Sequence, residues 1–451
     1  MRVDALVAEI GSTTTVVNVF TNLRSGTPRF LGQGVSETTV LEGDVNRGLK
    51  AAIADAEKTL GSSFTWDEMF ATSSAAGGLR MTVHGLVYDM TVRAAREAAL
   101  GSGAVLVGIT AGKLTEEDLS SIREAAPKMV LVAGGVDYGE KETALFNVKK
   151  LLPLLDDIPL VYAGNVENQR EIGRLATDAG VEVRFAENVY PSIDQLNVLP
   201  TRQAVQEVFE KHIVHAPGMA SIRELVDGPI MPTPGAVMAA AELVYDLFGD
   251  TIVFDVGGAT TDVHSVTEGS EEMRKIQTAP EPFAKRTVEG DLGVFINRRH
   301  VLDAMRDDER KKRFGEKEDE LFAIGPIPQS ESDIRLVEAL AANCLEIALT
   351  RHAGRLEERF LPGGRIYTAV GRDLTSIKAI VGTGGPLSRL PSRGKLLADL
   401  RRPAGGKFLY PPEDAAVFID RDYIMASLGV LAVRYPEAAS SLLRETLTKG
   451  E

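Results

Sequence analysis

Asp255-Val-Gly-Gly-Ala-Thr-Thr-Asp262 is flanked by the apolar runs Thr251–Phe254 and Val263–Val266, and this stretch decides the fold. An acid ends one predicted strand, a turn of small and hydroxylated residues follows, and a second strand leaves at once. Such a turn aims successive backbone N–H groups at one point, a nest suited to phosphate oxygens. Gly257, Gly258 and Ala259 allow close approach, Thr260 adds a hydroxyl donor, and Asp255 stands where a carboxylate can hold Mg²⁺ or its waters. Near the N-terminus the same grammar occurs: Ala5–Ala8 is apolar, Glu9 is acidic, Gly11-Ser12-Thr13-Thr14 forms the turn, and Val16–Phe20 returns as a strand. Glu9 aligns with Asp255 and Gly11 with Gly257, a common offset of 246 positions that indicates a duplicated domain and not a short-period repeat. One turn of this kind is commonly only a link between strands. Two related turns point to a shared ligand.

A third glycine segment, Ala379-Ile-Val-Gly-Thr-Gly-Gly-Pro386, follows a short apolar strand, and Gly382, Gly384 and Gly385 leave its backbone bare enough for a base or ribose to lie on it. The chain's 43 glycines in 451 residues exceed the roughly 7% average of proteins, without a collagen-like period. The formal charge of −14 opposes binding to nucleic acid or anionic lipid. Cys344, the single cysteine, excludes an intramolecular disulfide or a paired-cysteine zinc site and reads as a buried small hydrophobe. The N-terminal residues lack the basic flank and apolar run of a signal peptide, and no apolar stretch nears the ~20 residues of a membrane span. A cytoplasmic protein is the expectation.

Residues 101–200 have a different texture, with strands at Ala104–Ile109, Met129–Ala133, Leu160–Ala163 and Val181–Phe185 and helices at Thr115–Ala126, Lys141–Leu152 and Asn168–Ala179. That alternation predicts a separate parallel-sheet module, with Thr115 capping a helix whose first turn is acidic. Asp137, after Gly134-Gly135, reads either as a ligand residue at a strand end or as part of an ordinary strand-to-helix turn. His212 and His215 have a spacing compatible with metal binding but read better as surface histidines. Ser73 and Ser74 precede Ala75-Ala76-Gly77-Gly78, a close-packed turn and not a nucleophile site. Met231-Pro-Thr-Pro-Gly235 reads as a rigid inter-lobe connection, and Asp307–Asp319 as a solvated charged segment.

With these motifs in hand, the sequence resembles the actin, heat-shock chaperone and sugar-kinase superfamily of ATPases. Glu9–Thr15, Asp255–Asp262 and Val381–Pro386 stand at its phosphate-1, phosphate-2 and adenosine motifs, with Glu9 where the first position is usually Asp. More closely it resembles the MutL family linked to glutamate mutase, also called GlmL, which is unrelated to the mismatch-repair protein of the same name. Thr72–Leu79, Leu131–Asp137, Asp255–Asp262, Arg286–Gly293 and Asp420–Gly429 carry that resemblance over nearly the whole chain.

The resemblance implies a duplicated actin-like (ribonuclease H-like) α/β ATPase of two lobes with an inserted parallel α/β module. The expected divisions are residues 1–100 for the first part of lobe I, 101–200 for the module, 201–248 for the lobe I return and connection, and 249–451 for lobe II. ATP and Mg²⁺ are the expected cofactors, with phosphates at Gly11–Thr14 and Gly257–Thr260, adenosine near Gly382–Gly385, metal at Glu9 and Asp255, and Asp255 and Asp262 as catalytic candidates. The implied role is an ATP-dependent reactivating chaperone of an adenosylcobalamin-dependent aminomutase such as glutamate mutase. Its partners would be the mutase subunits, with homodimerisation a further expectation. No histidine lies between 101 and 200, so the module as delimited offers none to cobalt. Two other readings use the same loops: a small-molecule kinase or ATP-dependent hydantoinase-like hydrolase, and a filament-forming actin-like protein.

Overall fold

The computed structural model describes residues 1–11, 14–74, 79–213, 219, 222–361, 364–403 and 405–450. Two units are present, Met1–Ala239 with Ala426–Ala439, and Ala240–Met425 with Ser440–Glu451. The first opens with β1 (Arg2–Ile10), β2 (Thr14–Thr21), β3 (Arg29–Glu37) and β4 (Thr65–Ser73). The module strands follow as β5 (Leu79–Gly85), β6 (Ala104–Ala111), β7 (Met129–Val132), β8 (Leu160–Tyr162) and β9 (Val183–Phe185), and the chain returns through β10 (Ile230–Pro232). The second unit contains β11 (Thr251–Val256), β12 (Thr261–Val266), β13 (Ala284–Glu289), the hairpin β14 (Arg355–Leu361) and β15 (Gly364–Val370), then β16 (Ala379–Thr383), β17 (Ala416–Asp420) and β18 (Leu447–Lys449).

Topology establishes the duplication. The first sheet runs β3-β2-β1-β4-β10 and the second β13-β12-β11-β16-β17-β18. In each, three antiparallel strands adjoin two further parallel ones in the order 3-2-1-4-5, the ribonuclease H-like arrangement of actin-like ATPases. Register agrees with the offset read from sequence: Glu9 faces Val16 across one hairpin, and Asp255 faces Asp262 across the other. In the first unit the helix Val45–Leu60 buries Leu49, Ala52 and Ala56 in the same core as Leu6, Ala8 and Ile10 of β1. In the second, the helix Glu331–His352 buries Leu340, Leu345 and Cys344 with Phe254 and Val263, and burial pushes the Cys344 thiol up to about 12.

The inserted sheet is wholly parallel, in the order β6-β5-β7-β8-β9. Thr115 does cap its helix, accepting from the Asp118 amide while the Asp118 carboxylate accepts from the Thr115 amide. The sheet starts earlier than residue 101, however, because β5 at Leu79–Gly85 lies inside it between β6 and β7. Both faces of β5 are covered, with Met81 and Val83 on one and Thr82 and His84 on the other, all at 0% exposure. A half-polar run therefore sits where a fully buried parallel strand was not anticipated.

That placement corrects the histidine count: the module does contain His84. Burial and two hydroxyl partners, Thr110 at Nδ1 (2.8 Å) and Thr82 at Nε2 (3.0 Å), occupy it. Desolvation lowers its pKa to about 4. Folding thus favours the neutral ring, so the stabilisation is complete above the ordinary value near 6.5 and is lost as pH falls towards 4. The expected loss is roughly 3 kcal/mol, read as a falling urea midpoint of the first unit between pH 6.5 and 4, and His84→Gln should flatten that slope.

Two further boundaries differ from the expectation. Ile230–Pro232 is no connection: it is the edge strand of the first sheet, where proline's missing N–H costs no ladder bond, and Pro234 enters the first turn of the helix Thr233–Phe248. Residues 426–439, expected in lobe II, belong to the first unit. Ser427 bonds to Glu9 and Asn18, and Tyr435 and Arg434 meet Glu68, contacts between residues more than 360 positions apart.

Candidate functional site

The loop between β11 and β12 is held from behind. Gly257 N–H donates to Thr260 O at 2.9 Å and closes the turn. The amides of Val294, Phe295 and Ile296 then donate to the carbonyls of Gly257 and Gly258, at 3.2, 2.9 and 2.7 Å. Asn297 Nδ2 donates to Ala259 O at 2.7 Å and to Gly290 O at 2.8 Å. A Cβ on Gly293 would lie 2.3 Å from the Ala259 carbonyl carbon, so only glycine lets this brace come so near. Every carbonyl from 257 to 259 is occupied, whereas the N–H groups of Gly258, Ala259 and Thr260 have no partner among the described residues. Donors left open while acceptors are tied down make an anion-binding nest.

Asp255 is half-buried at the end of β11, beside Thr383 in the parallel pairing with β16. Gly384, the next residue, has φ +85°, and a Cβ there would lie 2.6 Å from Asp255 Oδ1 and 2.3 Å from Val256 O. The third glycine loop therefore lies against the acid that precedes the second. Thr383 Oγ1 donates to Asp420 Oδ2 at 2.8 Å, and fully buried Asp420 also accepts from Thr446 Oγ1 and the amides of Ile424 and Met425. Burial raises the Asp420 pKa, while these four donors oppose the rise. Gly385 has open space where a side chain would be, but Gly382 lies inside β16 with Leu397 and Leu387 filling that space, so packing explains that glycine.

Asp262 faces Asp255 in register yet has a different environment. Its Oδ1 accepts from Arg286 Nε at 2.8 Å and contacts Nη2 at 2.6 Å, with Arg286 only 1% exposed. Its Oδ2 accepts from Thr260 Oγ1 at 3.4 Å, tying the buried pair to the loop. Nearby, burial raises the pKa of Glu289, and Arg351 joins Glu289 (2.6 Å) to Asp291 (2.8 Å). His264 is buried in β12 opposite Arg286.

In the first unit, Gly11 N–H donates to Thr14 O at 2.9 Å, the turn bond seen between Gly257 and Thr260. Ser12 and Thr13 lie outside the described residues, as do Ala75–Gly78 and His215. Glu9 is 7% exposed, and its Oε1 accepts from Asn18 Nδ2 at 3.2 Å and Ser427 Oγ at 2.6 Å. The longer acid is thus anchored within its own unit. His212 pairs with Glu182 at 3.1 Å. Among the described residues no group of three or more His, Cys, Asp or Glu could hold a metal ion. One or two carboxylates completed by phosphate and water suffice for Mg²⁺, and Asp255 beside an open nest fits that demand.

Arg286, Asn297, Thr383, Asp420, Asn18 and Ser427 escaped the reading of loops. Thr383 lies inside the third glycine segment, between Gly382 and Gly384, and the other five stand outside the glycine turns, although Arg286 falls in the stretch Arg286–Gly293 and Asp420 and Ser427 in Asp420–Gly429.

The family model described as MutL protein matches residues 5–447. Protein MutL of Clostridium tetanomorphum is 34% identical over 430 residues, covering 92% of this chain and 93% of its own. Among solved structures, a diol dehydratase-reactivating factor in nucleotide-free form aligns at TM-score 0.36 and 12% identity, over 96% of this chain and 99% of the other. Component A of (R)-2-hydroxyglutaryl-CoA dehydratase from Acidaminococcus fermentans aligns at TM-score 0.30 and 9% identity, over 97% and 99%. No helix among the described residues is long and apolar enough to cross a membrane.

Proposed function

This chain belongs to the MutL family, and from that membership we propose that it is an ATP-dependent reactivating chaperone of an adenosylcobalamin-dependent aminomutase of the glutamate mutase type, promoting exchange of damaged cobalamin. The observation that carries the ATP-dependent part is the Gly257–Thr260 turn, with the carbonyls of 257–259 bonded and the amides of Gly258, Ala259 and Thr260 open among the described residues. A phosphate chain supplies the acceptors such a nest lacks. Gly11 and Thr14 make the corresponding turn of the first unit, and with Ser12 and Thr13 they complete the proposed phosphate contacts.

Asp255 is assigned to metal organisation and to orienting the attacking water, with Glu9 its counterpart in the first unit. When bound, Mg²⁺ neutralises phosphate charge. Asp262 is assigned a positioning role in the catalytic set, since Arg286 fixes its carboxylate and Thr260 hangs from it. Gly384 and Gly385, with Gly382 beneath them, would seat adenosine. Alternating ATP-bound and ATP-free states can drive release of a partner only if the partner binds them with different affinity. The inserted module is the proposed contact with the mutase, imitating its cobalamin-binding subunit, and burial of His84 leaves the module without an offered histidine. The test is recovery of activity by a cyanocobalamin-inactivated aminomutase given this protein, ATP, Mg²⁺ and fresh coenzyme. Absence of recovery with every aminomutase tried, ATP binding being confirmed, contradicts the reading.

A further inference from the structure

The inserted module has a cavity of about 630 Å³ at the end of its sheet where β7, β8 and β9 terminate. Parallel sheets bind ligands at that edge, and the volume is in the range of small-molecule sites. It lies in the first unit, among residues remote in sequence from either phosphate turn.

Its lining selects by charge. Asp137 and Glu187 contribute two carboxylates, and among the described residues no Lys, Arg or His lines it. Phosphate and carboxylate ligands would meet like charge with nothing to offset it. Two of the lining amides, Asn188 and Asn197, spend N–H groups inside the protein. Asn188 Nδ2 donates to Gly135 O and to Asp137 Oδ1, both at 3.0 Å, while its own oxygen accepts from the Tyr190 amide. Asn197 Nδ2 donates to Glu187 Oε2 at 3.0 Å. Asp137 Oδ1 also accepts from the Val166 amide at 3.0 Å, which fixes the carboxylate and leaves Oδ2 without a hydrogen bond among the described residues. What remains towards the cavity is two carboxylate acceptors, Asp137 Oδ2 and Glu187 Oε1, with the Asn197 oxygen, while the Gln195 amide nitrogen, whose oxygen accepts from Ser192, is an uncharged donor in the same lining. Phe185 adds an aromatic ring to the wall.

We propose that this cavity binds a small organic amine, its ammonium donating to Asp137 Oδ2 and its carbon chain lying along Phe185. A single ammonium answers both features, donors for the open acceptors and a positive charge for the two carboxylates. A zwitterion carries a carboxylate into the same field and is disfavoured.

The experiment is a ligand-observed NMR and calorimetric titration of the full chain at pH 7 with n-butylamine, n-butanol and 4-aminobutanoate. Butylamine should bind at least tenfold tighter than either of the others. Asp137→Asn, which keeps an oxygen for Val166 N–H, should weaken butylamine at least tenfold, and Glu187→Gln at the rim should weaken it less. Asp255→Asn should leave it unchanged, so the outcome is separable from the nucleotide reading. Equal binding of butanol or 4-aminobutanoate, no binding of butylamine, or an unaffected Asp137→Asn variant with unchanged melting temperature would each overturn the proposal.

Discussion

A Gly384→Ala substitution should lower ATP affinity by about two orders of magnitude, or roughly 3 kcal/mol. The residue has φ +85°, a left-handed conformation that a side chain resists, and the added Cβ would lie 2.3 Å from Val256 O. That neighbour is backbone, so strand end and loop must part, and strain of about 1–3 kcal/mol is the expected cost to stability. Parting them displaces the Asp255 carboxylate, now 2.6 Å from the same Cβ position. Gly385→Ala is the informative comparison. Its Cβ meets no atom within 4 Å, so thermal stability should hold while ATP affinity falls, because only a bound nucleotide would contest that space. Calorimetric titration of both variants checks the pair, and wild-type affinity in each would remove the third loop from the nucleotide site.

Arg286→Met should destabilise the second unit by about 3–5 kcal/mol, a large share of a domain's total stability. Arg286 and Asp262 are 1% and 5% exposed, so removing the guanidinium strands a carboxylate where water cannot reach it. Thr260 hangs from that carboxylate, so the phosphate turn should loosen with it. Adding Asp262→Leu removes the stranded charge and should restore most of the lost stability without restoring ATP hydrolysis. The pattern separates a packing role from a functional one: urea unfolding follows the pair, whereas turnover requires Asp262 itself. A single mutant as stable as the parent would contradict the assigned burial of charge.

Much of the fold was legible because the duplication is written in local chemistry. The offset that aligns Glu9 with Asp255 also aligns their hairpin partners, Val16 and Asp262, and the two turns close with the same hydrogen bond. The strands of the inserted sheet from residue 104 onward were visible as apolar runs. β5 was not, because His84 and Thr82 interrupt its apolar pattern although their face is buried too. The return of residues 426–439 to the first unit was invisible for another reason: Ser427 and Glu9 are 418 positions apart, and neither carries a sign of the other. The glycines of the phosphate turns could be read as a nest. The brace that makes the second one rigid could not, since Gly293 and Asn297 look like ordinary loop residues until the backbone of Ala259 is seen against them. Glycine in sequence also does not distinguish Gly385, which faces open space, from Gly382, which packs under Leu397.

The most direct measurement follows cobalamin exchange on an inactivated aminomutase of the glutamate mutase type, comparing this protein with its Asp255→Asn variant under ATP, Mg²⁺ and excess adenosylcobalamin. The wild type should release the damaged cofactor and restore mutase turnover only when ATP is present, and Asp255→Asn should retain the fold and lose the recovery. Exchange that proceeds equally without ATP, or equally with the variant, would contradict an ATP-driven reactivating role.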